Sequence, residues 1–192
     1  MKRALLALAL AAALPFSAQA ADGAPALSYS YIEGTYQSAD FLDESWDGFG
    51  LAGSVAFGSN WYGSASYSQV DYSSIDLDRS TINLGWHTAI SDKADFIAEL
   101  GYVSYGVDAG TLGSDDADGY RAAVGLRGLM GPKFEGSIKA SYEDVDGSNN
   151  VGLGVGGVFH INQTWGITGS YERQEIDGEG LNTWGLGVRA SF

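Results

Sequence analysis

Apolar and polar residues alternate along most of this chain with a period of two. Between Phe49 and Phe57 every second residue is apolar or glycine, and the residues between them are Gly, Ala and Ser. The same alternation recurs from Ser80 to Ile90 and from Tyr120 to Leu126. A period of two is typical of strands that bury one face, whereas an amphipathic helix repeats about every 3.6 residues. The pattern therefore predicts an all-β fold.

Ten segments carry this alternation, and each is about 10 to 13 residues long, the length that a tilted strand needs to cross a membrane. They are 29–38, 47–57, 61–70, 78–90, 94–106, 118–130, 133–144, 150–161, 165–175 and 181–192. We predict an antiparallel up-and-down transmembrane β-barrel of ten strands, with eight strands as the alternative. An even number of strands places both termini at the same end of the barrel.

The connections between these segments alternate in length. The short ones are 58–60, 91–93, 131–132 and 162–164. The others are longer on average and rich in acidic residues, at 39–46, 71–77, 107–117, 145–149 and 176–180. Short periplasmic turns and longer external loops are typical of outer-membrane barrels, so this alternation predicts which end faces the outside.

Aromatic residues on the apolar faces form two groups at two heights. The group near the short turns is Phe57, Trp61, Phe96, Phe134, Phe159, Trp165 and Phe192. The group near the longer connections is Tyr36, Phe49, Tyr67, Tyr102, Tyr120, Tyr142, Tyr171 and Trp184. Membrane interfaces favour two such rings, which supports a membrane barrel. The alternative, a soluble β-sandwich, predicts one clustered aromatic core instead.

The first 20 residues differ in composition from the rest of the chain. Two basic residues precede an apolar run at 4–14, and residues 18–20 read Ala-Gln-Ala, the small-x-small pattern of a cleavage site. We expect residues 1–20 to be a cleaved signal peptide and residues 21–192 to be one outer-membrane barrel domain, with a retained anchor helix as the alternative. Elsewhere no apolar run reaches about 18 residues, so any other membrane span must be a strand.

Several stretches of the chain resemble a known protein family. They are MKRALLALALAAALPFSAQAADG at the start, LSYSYIEGTY after it, and NQTWGITGSYERQEIDG and WGLGVRASF at the end. The family is that of small outer-membrane barrels known as sulfation-dependent quorum factor, and 28–33 and 162–166 are the more distinctive matching pieces. The resemblance implies an outer-membrane β-barrel that also reaches secreted material such as vesicles, and its label implies signalling. It brings no catalytic motif.

Charged residues concentrate on the polar, inward face of the predicted strands. The set holds five acids and five bases, namely Glu33, Arg79, Glu99, Arg121, Arg127, Glu135, Lys139, Glu143, Glu172 and Arg189. This face avoids lipid, where an Arg or Lys would cost about 2–4 kcal/mol at mid-depth. Balanced charges predict ion pairs across a narrow lumen, which would form a structural plug. The alternative is a selective ion or solute pore.

Candidate catalytic residues are few. His87 and His160 fall on the inward face, and neither lies in a Ser/His pattern that a lipid-modifying enzyme would need. Gly152, Gly154 and Gly157 match a dinucleotide fingerprint in letters only, because they lie inside a predicted strand and open no helix. The chain has no Cys. We therefore expect no enzyme, no cofactor and no specific metal site.

Acidic residues crowd the end with the longer connections. Without residues 1–20 the chain has 8 Lys and Arg against 24 Asp and Glu, a net charge of −16, which disfavours nucleic-acid binding. Sixteen acids lie at that end: Asp40, Asp43, Glu44, Asp47, Asp71, Asp76, Asp78, Asp108, Asp115, Asp116, Asp118, Asp144, Asp146, Glu175, Asp177 and Glu179. Such carboxylates, with Asp115, Asp116 and Asp118 as the candidate centre, could bind divalent cations that bridge to lipopolysaccharide phosphates. Ordinary solvated loops are the alternative.

The chain ends on Phe192, at the close of the last predicted strand. An aromatic carboxy-terminus resembles the signal read by the barrel-assembly machinery, and a further ring aromatic is the alternative interpretation. We expect a monomer in the outer membrane with a structural or surface-interaction role, whose partners are membrane lipid, lipopolysaccharide and the assembly machinery. A narrow pore is the second hypothesis, and a lipid-modifying enzyme is the third.

Overall fold

Ten antiparallel strands close into one barrel. The computed structural model describes residues 27–41, 44–72, 75–108, 110, 113–176 and 179–192. The strands are β1 (Tyr31–Phe41), β2 (Glu44–Phe57), β3 (Trp61–Tyr72), β4 (Ile75–Ser91), β5 (Ala94–Asp108), β6 (Ser114–Leu129), β7 (Phe134–Val145), β8 (Ser148–His160), β9 (Trp165–Ile176) and β10 (Glu179–Ser191). The prediction of ten strands is confirmed, and the eight-stranded alternative is wrong. The proposed signal peptide at 1–20 lies outside the described residues.

Each strand pairs with its neighbours in the chain, and β1 pairs with β10 to complete the ring. Following paired residues once around the barrel returns to β1 with a stagger of about 12 residues, which corresponds to a strand tilt of roughly 40°. Closure leaves no unpaired edge strand, so every ladder hydrogen bond can be made without water. Among the described residues, no helix is both long and apolar enough to cross a membrane.

The two ends of the barrel differ. The terminal end carries the two chain ends of the barrel and the connections 58–60, 92–93, 130–133 and 161–164. These agree with the predicted short turns to within one residue. The opposite end, called here the distal end, carries the connections 42–43, 73–74, 109–113, 146–147 and 177–178.

The long distal loops predicted from the sequence are wrong, because the strands continue through most of those residues. β4 begins at Ile75 and β6 at Ser114, several residues beyond the predicted strand ends. Aspartate is depleted in strands on average, but pairing with two neighbours outweighs that preference in a closed barrel. β7 and β8 join through Asp146 and Gly147, whose φ angles of 49° and 85° suit a type I′ hairpin turn.

The barrel is apolar outside and polar inside. Leu100 and Ile82 expose 69% and 66% of their surface on the outer face, while Glu143 exposes 1% inside. An exposed band of large apolar residues around a closed sheet has the composition that suits contact with lipid. This inversion explains why the mean hydropathy of the chain is near zero, at −0.06.

The distal aromatic ring points its polar atoms away from the apolar band. Tyr36 donates its hydroxyl hydrogen to Asp47 at 2.7 Å, and Tyr171 donates to Asn182 at 2.8 Å. Both acceptors lie further toward the distal end than the tyrosines do, by the strand pairing. Aromatic rings with polar tips favour membrane interfaces, so this ring marks the distal edge of the lipid-facing band. The strands rise beyond it.

Candidate functional site

The inward charges meet at the centre of the barrel. Arg121 Nη1 lies 3.1 Å from Glu99 Oε2, and Arg121 Nε donates to Glu143 Oε1 at 3.1 Å. Lys139 Nζ donates to both carboxylate oxygens of Glu99, at 2.8 and 2.9 Å. Glu143 also pairs with Arg79. Arg121 of β6 therefore links buried carboxylates on the two neighbouring strands, β5 and β7, and each carboxylate has a second cation.

A second group of ion pairs lies nearer the terminal end. Arg127 Nε donates to Glu135 Oε1 at 2.7 Å. Arg189 Nε donates to Glu33 Oε2 at 2.7 Å, and its Nη1 reaches Glu135 Oε1 at 3.3 Å. The Arg189 guanidinium also lies 4.1 Å from the ring centroid of Tyr31, a cation–π contact. Charge is balanced within this layer, so its residues stabilise one another without an added ion.

Glu172 is the predicted lumen residue that stands outside these pairs. The other nine residues of the predicted set all take part in ion pairs. Glu172 accepts a hydrogen bond from Gln174 Nε2 at 3.3 Å, and within the described part of the chain it has no ion pair at 4.0 Å or less. Arg79 interacts with it only at longer range.

The segment before β1 enters the lumen and closes its terminal end. Tyr29, 6% exposed, stacks on His87 with ring centroids 3.9 Å apart. Its hydroxyl donates to Asp95 Oδ2 at 2.8 Å. The Arg127 guanidinium carbon also lies 4.6 Å from the centroid of the Tyr29 ring, a cation–π contact. An aromatic side chain thus fills the lumen between strands β4, β5 and β6.

This plug was missed from the sequence, which predicted that the first strand begins at residue 29. Ser54 Oγ donates to the carbonyl oxygen of Tyr29 at 2.8 Å, and Arg127 Nη2 donates to that of Ser28 at 2.8 Å. These inward contacts hold the segment inside the lumen, and β1 begins at Tyr31 instead. Alternation cannot reveal this, because Ser28 and Tyr29 continue the polar–apolar pattern of the strand that follows.

Tyr62 was also missed, although its position on the inward face of β3 was a usable signal. It is 4% exposed and donates its hydroxyl hydrogen to Glu99 Oε1 at 2.9 Å. Its ring lies against Gly85, its partner on β4, where a Cβ would collide with the ring. A glycine opposite an inward tyrosine therefore lets the ring lie flat over β4 inside the lumen, with its centroid 4.9 Å from that of the Tyr29 ring.

Both histidines lie within the lumen, as their position on the strands predicts. His87 Nδ1 is 3.2 Å from Asp95 Oδ2, and His160 Nε2 is 3.6 Å from Glu135 Oε2. Each ring is therefore directed at a carboxylate inside the barrel and away from the lipid-facing surface.

Four aspartates form a row beyond the distal aromatic ring. Asp47 pairs with Asp71, Asp71 with Asp76, and Asp76 with Asp108, so the row crosses strands β2 to β5 at one level. All four lie on the outer face by strand alternation. Desolvation, followed by the charge of Asp71 and then that of Asp108, raises the pKa of Asp76 above its ordinary value of 3.8. We call this set the aspartate row.

The predicted carboxylate centre does not converge. Asp116 and Asp118 share the outer face of β6, whereas Asp115 lies on the opposite face, because successive strand residues alternate. Within the described ranges, no group of three or more His, Cys, Asp or Glu side chains is placed to hold a metal ion. Asp43 and Asp177, two of the sixteen distal acids, lie outside the described residues.

No family model matches this chain, and no curated protein matches it. Among solved structures it is similar to Ail, the attachment invasion locus protein of Yersinia pestis, at 17% identity and a TM-score of 0.40, over 84% of this chain and 95% of that one. For KdgM porin the identity is 10% and the TM-score 0.46, over 84% and 99%. For the translocator domain of autotransporter NalP from Neisseria meningitidis they are 12% and 0.45, over 100% and 98%. These values limit the likeness to overall architecture.

Proposed function

We propose that this chain is a small outer-membrane barrel with a closed lumen, which acts as a structural or surface-interaction protein. The observation that carries the proposal is the buried ion-pair group at the middle of the lumen, in which Arg79 of β4 reaches Glu143 of β7 and Arg121 joins Glu143 to Glu99. Tyr29 and Tyr62 fill the lumen beneath it. An ion would have to break buried pairs and displace two aromatic rings to pass, so the plug is favoured over the pore.

Conductance in planar bilayers tests the closed lumen. The wild-type barrel, with insertion verified by protease protection, is expected to give no steady conductance steps. A variant carrying Tyr29→Ala, Tyr62→Ala and Arg121→Ala shortens inward side chains at two levels of the lumen, and it should give steps under the same conditions. Steady, ohmic steps from the wild-type protein would instead favour the narrow pore.

The distal end is the surface that would meet external partners. In this proposal the terminal end faces the periplasm, and the aspartate row stands at the height of lipopolysaccharide head groups. Divalent cations would be shared between these carboxylates and lipid phosphates, since carboxylate oxygens suit hard cations. Arg173, exposed on the outer face of β9 near the same level, is placed to meet a phosphate directly.

Assembly and oligomeric state follow from the same proposal. Phe192 closes the chain just after β10, and its backbone N–H donates to the carbonyl oxygen of Ser30 at 3.0 Å. As the aromatic residue directly after the last strand, it would serve as the signal for the barrel-assembly machinery. The barrel would work as a monomer, and its closure leaves no strand edge for a second copy to extend.

The resemblance to sulfation-dependent quorum factor adds a narrower proposal, that the protein also leaves the cell in vesicles. Its support is confined to the sequence stretches that carry the resemblance. Density-gradient fractions of culture medium, probed with an antibody to this chain, should then contain it together with lipopolysaccharide. Its confinement to the cell-envelope fraction would remove the vesicle role.

A lipid-modifying enzyme receives little support from the geometry. His87 and His160 are directed at lumen carboxylates, whereas a group that acts on lipid must face the bilayer or open toward it. A turnover assay on lipopolysaccharide would detect such an activity.

A further inference from the structure

The lumen widens into a cavity at its distal end. The cavity has a volume of ≈ 260 Å³ and lies above the ion pairs of the barrel centre. Its walls carry inward apolar side chains from three parts of the barrel, namely Ala39 and Trp46, Val70 and Leu77, and Leu181. Its floor carries Arg79, Tyr105, Glu172 and Gln174. We call this cavity the vestibule.

The charged groups on the vestibule floor differ in whether they have ion-pair partners. Arg79 pairs with Glu143, and its Nε donates to the Tyr105 hydroxyl oxygen at 2.9 Å. Tyr105 in turn donates to Glu143 Oε2 at 2.6 Å. These three side chains therefore satisfy one another. Glu172 is the floor carboxylate outside this set, with a hydrogen bond from Gln174 and no ion pair among the described residues.

Apolar walls with a few converging polar groups are typical of small-molecule sites. A structural plug alone would not require apolar side chains at a mouth that opens to water. The volume lies below the range of about 300–1,000 Å³ usual for drug-sized ligands, so it suits a single ring with a short chain. Gln37, Ser68, Asp78 and Thr183 also line the cavity and offer hydrogen-bonding groups between the apolar side chains.

The acidic residues around the cavity mouth determine which sign of ligand charge is favoured. The aspartate row and the other distal acids surround the mouth, so their summed field attracts small cations and repels anions. A cationic group at the floor would meet Glu172, which interacts with the charge of Arg79 but has no ion pair at 4.0 Å or less among the described residues. A carboxylate or phosphate ligand would meet both this group and the acidic mouth.

We propose that the vestibule binds a small amphipathic ammonium compound. Its apolar body packs against Val70, Leu77 and Leu181, and its ammonium group pairs with Glu172. This binding is separate from the closure of the lumen, because it needs only the distal cavity.

Binding of phenethylammonium to the full barrel in detergent micelles tests the proposal, with phenylpropionate and phenethyl alcohol as anionic and neutral analogues. Isothermal titration should rank the cation at least tenfold tighter than the anion. Glu172→Gln should weaken cation binding about tenfold and leave alcohol binding unchanged. Glu175→Gln, an exposed change on the same strand, should alter cation binding less than twofold. Methyl resonances of Leu77 and Leu181 should shift on binding.

A filled cavity gives a second, independent test. Val70→Trp should abolish binding of both the cation and the alcohol while the variant keeps its folded, heat-modifiable gel mobility. Equal affinity for cation and anion would overturn the proposal, as would full affinity in Val70→Trp. If Glu172→Gln does not fold, the Val70→Trp variant and the ranking of the three ligands still test whether the vestibule binds the ammonium compound. A wild-type barrel that conducts ions and also shows this binding pattern would refute the closed lumen but would leave the vestibule proposal standing.

Discussion

Arg121 is the side chain that joins the two halves of the central ion-pair group. Only 9% of its side chain is exposed, and both of its carboxylate partners are more buried still, at 6% and 1%. Such a group is stable because every charge has a partner, and not because ion pairs are strong in isolation. Removing one member is therefore more costly than replacing the whole group with apolar residues.

Arg121→Leu should destabilise the refolded barrel. Glu99 keeps Lys139 and Glu143 keeps Arg79, so we expect a loss of about 3 kcal/mol, at the lower end for a broken buried pair. Urea titration of the refolded protein measures it. Arg173→Leu, on the exposed outer face, is the matched control and should change stability by about 0.5 kcal/mol or less. Equal midpoints for wild type and Arg121→Leu would mean that Arg121 is solvated in an open lumen.

Individual inward residues were predictable, but their partners were not. Strand alternation assigns Arg121 and Glu143 to the lumen because it needs only the local sequence. Which acid meets which base depends on the stagger around the closed barrel, which places Arg79 of β4 beside Glu143 of β7. Tyr29 illustrates the remaining limit, since its inward turn depends on contacts with residues distant in the chain.

At the scale of strands, the distal hairpins rise beyond the aromatic ring as paired strands. The terminal turns were predictable because glycine, asparagine, proline, serine or aspartate interrupts the alternation there. The distal ends were not, because acidic residues resemble loops by composition while ladder pairing continues through them. The Asp146–Gly147 dipeptide was a readable hairpin signal, since Asp-Gly favours the type I′ turn found there.

The aspartate row makes the stability of the distal strand ends depend on pH. The pKa of Asp76 is raised in the folded barrel, so its charged form opposes folding above that pKa, and this cost is lost as pH falls through it. Like charges directly opposite on neighbouring strands destabilise a sheet. Asp76→Asn should therefore be more stable than wild type at pH 7, and the difference should shrink on acidification toward pH 4.

The measurement is the difference in urea midpoint between Asp76→Asn and wild type across that pH range. Taking a difference cancels the other carboxylates, which titrate in both proteins. Asp92→Asn, in the turn at the terminal end, is the control and should show no comparable trend. A constant difference between Asp76→Asn and wild type at every pH would show that the row does not couple to folding.

For the whole molecule, charge is separated by location. The lumen holds acids and bases in nearly equal numbers, whereas fourteen acids of the described residues lie toward the distal end, with Arg173 as a base on the outer face of the same region. A field of one sign destabilises the folded barrel unless cations neutralise it. In the proposed outer-membrane setting, lipopolysaccharide phosphates would add further negative charge, so shared cations, together with Arg173, would let the barrel and its lipid approach closely.

Calcium should therefore stabilise the barrel most where such phosphates are present. Millimolar Ca²⁺ is expected to raise the melting temperature more in lipopolysaccharide-containing bilayers than in neutral detergent, because an ion held by two anionic surfaces links them. The double variant Asp116→Asn with Asp118→Asn, on the outer face of β6, should shrink that difference. Asp115→Asn, on the opposite face of the same strand, should leave it intact. Equal shifts in both media would show that the distal acids are only solvated.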